Sequence, residues 1–183
     1  MSIIPNGVTT DTLNSLEFEA GLILKTKYTT GPFNKSNVLC STTGGIRVNI
    51  SPIKQVVKFD GVLDNTKGIE RVVGYTASVQ FSTHEVDAEM VKKAIGYATS
   101  NNSKVTFNQG IIPESSYEDL YILGKMSNGS WRQICLSSTI NVNGLQETRN
   151  DKGETLIAFD LQARYGIDTQ DTAPVAVEYI AGT

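Results

Sequence analysis

Arg71-Val72-Val73-Gly74-Tyr75-Thr76-Ala77-Ser78-Val79-Gln80-Phe81-Ser82-Thr83 is the stretch that decides the fold class. Val73, Tyr75, Ala77, Val79 and Phe81 occupy every second position, with Thr76, Ser78, Gln80 and Ser82 between them. Successive side chains of a strand point to opposite faces, so the run predicts a strand with one apolar and one wet face. The same period recurs on both sides of it. Phe18, Ala20, Leu22 and Leu24 share one parity within Glu17 to Leu24, and Glu17 and Glu19 share the other. Ile46, Val48 and Ile50 alternate with Arg47, Asn49 and Ser51, and Ile157, Phe159, Leu161, Ala163 and Tyr165 oppose Asp160, Gln162 and Arg164. Lys54 to Phe59 follows Pro52, which suits a strand end or a bend, because proline cannot donate to a ladder.

One helix is expected over about 86–99. Val86, Met90, Val91, Ala94, Ile95 and Ala98 fall at helical spacing, and Ser82-Thr83-His84-Glu85 has capping-box spacing, with Asp87 as a second N-cap. Val105 to Phe107 predicts a short strand. Asn128-Gly129 predicts a hairpin between Glu118–Met126 and Ser130–Val142, and residues 150–153 a second one between Gly144–Thr148 and Glu154–Tyr165. The fold class is therefore mainly β: an antiparallel β-sandwich or rolled sheet with one flanking α-helix. A chain of 183 residues fits one domain, 1–166, followed by a C-terminal arm, 167–183. Lys25 to Thr43 reads as a long polar loop. In the arm, Val175, Val177 and Tyr179 alternate with Ala176 and Glu178, the pattern of a strand looking for an edge, on this chain or another.

Charge and chemistry narrow the function. Sixteen Lys and Arg against nineteen Asp and Glu leave a net charge of -3, which disfavours a protein that holds nucleic acid by clustered cations. Neither a signal-peptide pattern nor an apolar run of spanning length is visible, so a cytoplasmic site of synthesis is expected. Two cysteines, Cys40 and Cys135, suit free thiols better than a disulfide framework or a thiolate zinc site. His84 is the single histidine and sits at a helix start without a Gly-x-Ser-x-Gly elbow elsewhere, so triads and histidine metal clusters have no second member. Glu17 and Glu19 project from one strand face about 7 Å apart, but nearly every solvated strand offers such a pair. No enzyme, cofactor or metal is expected, and long polar loops with a strand-like arm point towards assembly.

The run Phe59-Asp60-Gly61-Val62-Leu63-Asp64-Asn65-Thr66-Lys67-Gly68, then the strand to Thr83 and the helix from Asp87 to Ala98, resembles the central part of tailed-phage major tail tube proteins. So does the later run Leu120 to Tyr165, with Asn128-Gly129, Asn141-Val142-Asn143-Gly144-Leu145 and Asp151-Lys152-Gly153. The likeness covers about Glu19 to Tyr165. It implies a β-sandwich assembled as hexameric rings that stack into a hollow tube, with the inner sheets joined into a barrel around a lumen that conducts DNA.

Within that resemblance, strand parity assigns Ser78, Gln80, Asp160 and Gln162 to the bore, where part of the acidic charge is expected to keep DNA sliding. Gly31, Pro32 and Phe33 of the loop and Val175, Val177 and Tyr179 of the arm become candidate inter-ring contacts. The implied partners are the chain itself, a tape measure protein, tail tip or baseplate and tail terminator proteins, and genome DNA passing without specific binding, with no membrane. The implied location is the virion, after assembly in the host cytoplasm. The inner tube of a contractile tail, a tail-like bacteriocin or a secretion system would share these features. A monomeric β-sandwich binding module with Trp131 and Tyr121 as its aromatic face is the reading from another class.

Overall fold

The computed structural model describes residues 15–17, 21–30, 34–61, 63, 66–101, 103–151 and 153–182. Among these, the strands are β1 (Leu22–Leu24), β2 (Thr43–Val56), β3 (Glu70–Thr83), β4 (Ala98–Asn101), β5 (Lys104–Phe107), β6 (Glu118–Lys125), β7 (Trp131–Asn141), β8 (Gln146–Thr148), β9 (Leu156–Gln162) and β10 (Val175–Ile180), and the α-helix is α1 (Ala88–Ile95). All pairings are antiparallel, as the alternating sequence pattern requires. Eight of the strands form one sheet that rolls over at β7, and β4 and β5 form a separate hairpin.

β7 belongs to both layers of the roll. Its residues 131–136 lie between β6 and β10, whereas Ile140 and Asn141 pair with Gln162 and Leu161 of β9. The corner between these parts is at Ser138, whose φ of 51° makes it the single non-glycine with positive φ among the described residues. Asp119 holds that conformation by accepting the Ser138 N–H at 2.9 Å, and Thr139 donates its hydroxyl to the Glu118 carbonyl at 2.7 Å. The β6–β7 register shifts at the same place, between Glu118 and Leu120, so a bulge makes the bend.

The alternating apolar rows meet inside the roll. Ala77, Val79, Phe81, Ile157, Phe159 and Leu161 come from one layer, and Ile23, Leu120, Ile122, Ile134 and Leu136 from the other. Phe81 and Phe159 are direct cross-strand partners with ring centroids 4.9 Å apart. Met90 and Ala94 bring α1 onto the same core.

The helix is shorter than the expected 86–99. Asp87 caps it by accepting the Met90 N–H at 2.8 Å, and Gly96, at φ 83°, ends it with its N–H on the Lys92 carbonyl. Ala98 and its successors then pair with β5, so their helical spacing coincides with a strand. Glu85 is not the capping-box acid; its carboxylate accepts the Ser41 N–H and hydroxyl, each at 2.7 Å. Pro52 does not end β2 either. The strand runs through it to Val56, which is possible because β2 is the edge of its layer and has a side where no N–H is needed.

Asn141 ties the elements together at the end of β7. It is buried; its side-chain amide donates to the Ala94 carbonyl of α1 and to the Gly144 carbonyl, at 2.7 Å, and its Oδ1 accepts the Asp160 N–H of β9 at 2.9 Å. Asn141→Leu leaves those three backbone groups without this partner, and about 1–3 kcal/mol per stranded buried group predicts a loss of at least about 3 kcal/mol. Urea unfolding of the variant, with an unchanged m-value, measures that loss.

Candidate self-assembly surfaces

The four residues assigned to the bore by parity stand side by side on one face of the β2–β3–β9 layer. Ser78 is opposite Gln162 and Gln80 opposite Asp160, and β2 extends both rows with Asn49 and Arg47. Gln80 donates its side-chain amide to Asp160 Oδ2 at 2.9 Å, and Asn143 donates to the same oxygen at 3.1 Å. Gly44 and Gly45, at φ 75° and 89°, lift β2 away from β3 where the register shifts between Thr43 and Arg47. This opens a shallow depression of about 480 Å3 lined by Arg47, Gln80, Asn143, Gln146 and Asp160. Arg47 and Asn49 belong to this face yet escaped the sequence assignment, although their alternation with Ile46, Val48 and Ile50 is visible there.

The same layer continues beyond the core as a two-stranded ribbon. β3 pairs with β9 only from Ser78 to Thr83, so residues 70–76 pair with β2 alone. On the side that carries the core residues Val79 and Phe81, the ribbon presents Ile50, Tyr75 and Val72, each more than a third exposed, and Val73 stands at the bulge. Phe59 and Leu63 follow in the connection at 59% and 83% exposure. At the root of the ribbon Tyr165 takes the place of a missing strand. Its hydroxyl accepts the Tyr75 N–H at 2.6 Å and donates to the Tyr75 carbonyl at 3.2 Å. Gly74 makes room for it: a Cβ there would sit 2.8 Å from the hydroxyl oxygen.

The loop and the arm are more closely held than their sequences suggest. Lys25 donates its N–H to the Asn37 carbonyl and Leu39 to the Ile23 carbonyl, which closes the loop's base on β1. Buried Gln133 grips its first part, accepting the Tyr28 N–H at 2.8 Å and donating to the Tyr28 carbonyl at 3.3 Å, and Lys27 pairs with Glu178 at 2.6 Å. Gly31, Pro32 and Phe33 lie outside the described residues. The arm's strand finds its edge on the same chain, where β10 pairs with β7. Val175 packs against the core, while Val177 and Tyr179 are 42% and 68% exposed.

Candidate chemistry stays dispersed. His84 Nδ1 lies 3.2 Å from the Thr155 carbonyl and 3.1 Å from Glu154, with no nucleophile in the described contacts. Glu17 pairs with Arg132 at 3.0 Å, and Glu19 lies outside the described residues. No group of three metal-ligating side chains occurs among the described residues, and none of their helices is long and apolar enough to cross a membrane. Trp131 packs at 5.7 Å against Tyr28 with Lys125 Nζ over its ring, so a ligand stacking there would have to displace both. Burial pushes the Cys40 thiol up to about 11, and burial followed by the charge of Glu178 raises that of Cys135.

No protein-family model matches the chain, and no curated protein matches it. Among solved structures it is similar to a chain of a native gene transfer agent virion, with 10% identity, 88% of this chain and 96% of that chain covered, and a TM-score of 0.45.

Tyr165→Phe keeps the ring and removes both hydrogen bonds to Tyr75, so it is expected to lower stability by about 1 kcal/mol. Native-state hydrogen exchange at the Tyr75 amide should accelerate while that at Val79 stays at the wild-type rate. For the thiols, a pKa near 11 leaves Cys40 with about one thiolate in a thousand at pH 8. A thiol reagent at that pH should modify half-buried Cys135 first and Cys40 only at the rate of unfolding.

Proposed function

We propose that this chain is the major tail tube subunit of a tailed phage, forming stacked hexameric rings whose lumen conducts DNA during ejection. The observation that carries the reading is the β2–β3–β9 layer, which is polar on one face, packed on the other and extended as a ribbon past its own core. An isolated two-stranded ribbon is marginal in water, and exposed apolar side chains with free strand edges invite association. β2 is one end of this layer and β8 stands at the other, each without a further strand among the described residues. Joining such ends from copy to copy in a closed ring removes the edges and turns every polar face to one side. Ser78, Gln80, Asp160 and Gln162 then line the bore, and the ribbon with Val72 and Tyr75 is covered by a second copy. Val177 and Tyr179 on the edge strand β10 are the remaining candidate contacts between rings.

The resemblance in the order of elements supports a tube over other ring assemblies. A tape measure protein, a tail tip or baseplate and a terminator are the partners such a tube requires. An inner tube of a contractile tail would use the same surfaces, and a neighbouring sheath gene would mark it.

Negative-stain electron microscopy of the purified protein at high concentration, and of the same protein from induced cells, tests the reading. Rings or tubes with six-fold end views and a central hole are expected; monomers in both samples overturn it. Val72→Glu should prevent assembly while leaving monomer stability within about 0.5 kcal/mol, because the side chain is on the surface of the free subunit. Sedimentation and thermal unfolding of the same sample check both halves of that statement.

A further inference from the structure

The net charge of the chain is -3, yet the polar face of the β2–β3–β9 layer is not acidic. Its register places Arg47 in the row with Gln80 and Asp160, and Arg71 opposite Gln55 on the ribbon. Arg164 continues the alternation of Asp160 and Gln162 just past the end of β9, where its N–H donates to the Ser137 carbonyl. The face therefore carries three arginines and one carboxylate. None of the three is in an ion pair among the described residues, whereas Lys27, Lys54, Lys93, Arg132 and Arg149 all are. Asp160 is occupied by the amides of Gln80 and Asn143 and is not drawn to Arg47. Lys54 and Glu70 pair with each other on the opposite face.

We infer that this face is a phosphate-contacting surface whose ligand is the backbone of nucleic acid, with Arg47 and Arg164 as the principal contacts and Arg71 an outlying one. All its cations are arginines, whose planar fork suits phosphate oxygens in a way a lysine point charge does not. Around them the face offers amides and hydroxyls, from Asn49, Ser78, Gln80 and Gln162, that hydrogen-bond phosphates without holding them, with Ile53 an exposed apolar residue towards the ribbon. Arg47 and Arg164 lie two rows apart, about 13 Å along the strands, so each engages separately. Few cations per copy, one carboxylate among them and no aromatic platform make contacts that are sequence-independent and exchange rapidly. This deepens the tube reading and rests on it: the wall of the bore brushes the DNA through arginines and does not repel it with acidic charge.

Fluorescence anisotropy with a short DNA duplex, across about 50 to 200 mM salt, tests the inference on the full chain. The wild type should bind weakly, with affinity falling linearly on a log-log salt plot. Arg47→Gln and Arg164→Gln should each reduce the ratio of affinities at the two ends of that range by about 3.5-fold, the value for one released counterion per phosphate. Arg47→Lys should keep the wild-type slope with a weaker constant. An unchanged slope in both glutamine variants overturns the inference, as does a poly-glutamate peptide that binds more tightly than the duplex. Electron microscopy of the same samples separates the two claims. Tubes of normal diameter with unchanged salt slopes defeat the arginine contacts and leave the tube standing, whereas a wild type without tubes in either preparation defeats both.

Discussion

Everything in this fold depends on one strand serving two layers, and on the side chain that holds its end. β7 leaves its place between β6 and β10, turns at Ser138 and arrives beside β9, where Asn141 fastens α1, the following turn and the Asp160 backbone at once. A rolled sheet needs such a corner, because an open sheet of this many strands would expose the apolar rows that now face each other. The corner is built from polar bonds, to Asp119, Glu118 and Ala94, and those bonds are directional where hydrophobic contact is not. Burial makes the roll favourable; the polar corner fixes where it happens.

The corner also sets the geometry of the exposed face. Asn141 fixes the Asp160 backbone, Asp160 fixes Gln80 and Asn143, and the row continues to Arg47 on the edge strand. A buried amide thus governs the spacing of groups on the solvent side of the sheet. The roll stops, however, before β2 and β3 do. Their outer halves have no layer above them, so the apolar parity that fills the core at Val79 and Phe81 becomes exposed at Tyr75, and the bulge at Val73 brings Val72 to the same face. Tyr165 marks that boundary by closing the last backbone groups that β9 does not reach. The same strand thus fills the core at one end and, past the bulge at Val73, exposes apolar side chains at the other.

Alternation makes β3 and β9 legible in the sequence, along with the common face of Ser78, Gln80, Asp160 and Gln162, because a period of two is a direct image of side-chain direction, and the Asn128-Gly129 turn marks β7. The ribbon was not legible. Tyr75 and Val79 look alike in sequence, and which of them is covered depends on where β9 ends; Val72, off that period, reaches their face only through the bulge at Val73. The helical period runs past the end of the helix because Ala98 keeps the spacing although Gly96 has already left the helical region at φ 83°. The loop from Lys25 reads as polar and long, but its bonds to Gln133 and β1 are tertiary and leave no local trace. Register was hidden for the same reason, and with it the adjacency of Arg47 to Gln80.

Composition misled most about charge. A total of -3 says nothing about sidedness: three of the five arginines, Arg47, Arg71 and Arg164, fall on the polar face of the β2–β3–β9 layer with one carboxylate, Asp160. Such a separation has a physical consequence within any ring of copies. Interspersed charge would cancel within a Debye length of about 8–10 Å, whereas faces of opposite sign, kept apart by an apolar core, act on different neighbours. One rolled sheet keeps two differently charged faces apart because its layers turn opposite faces outward, and Asn141 at the corner ties the polar face of β9 to α1 and the turn after β7.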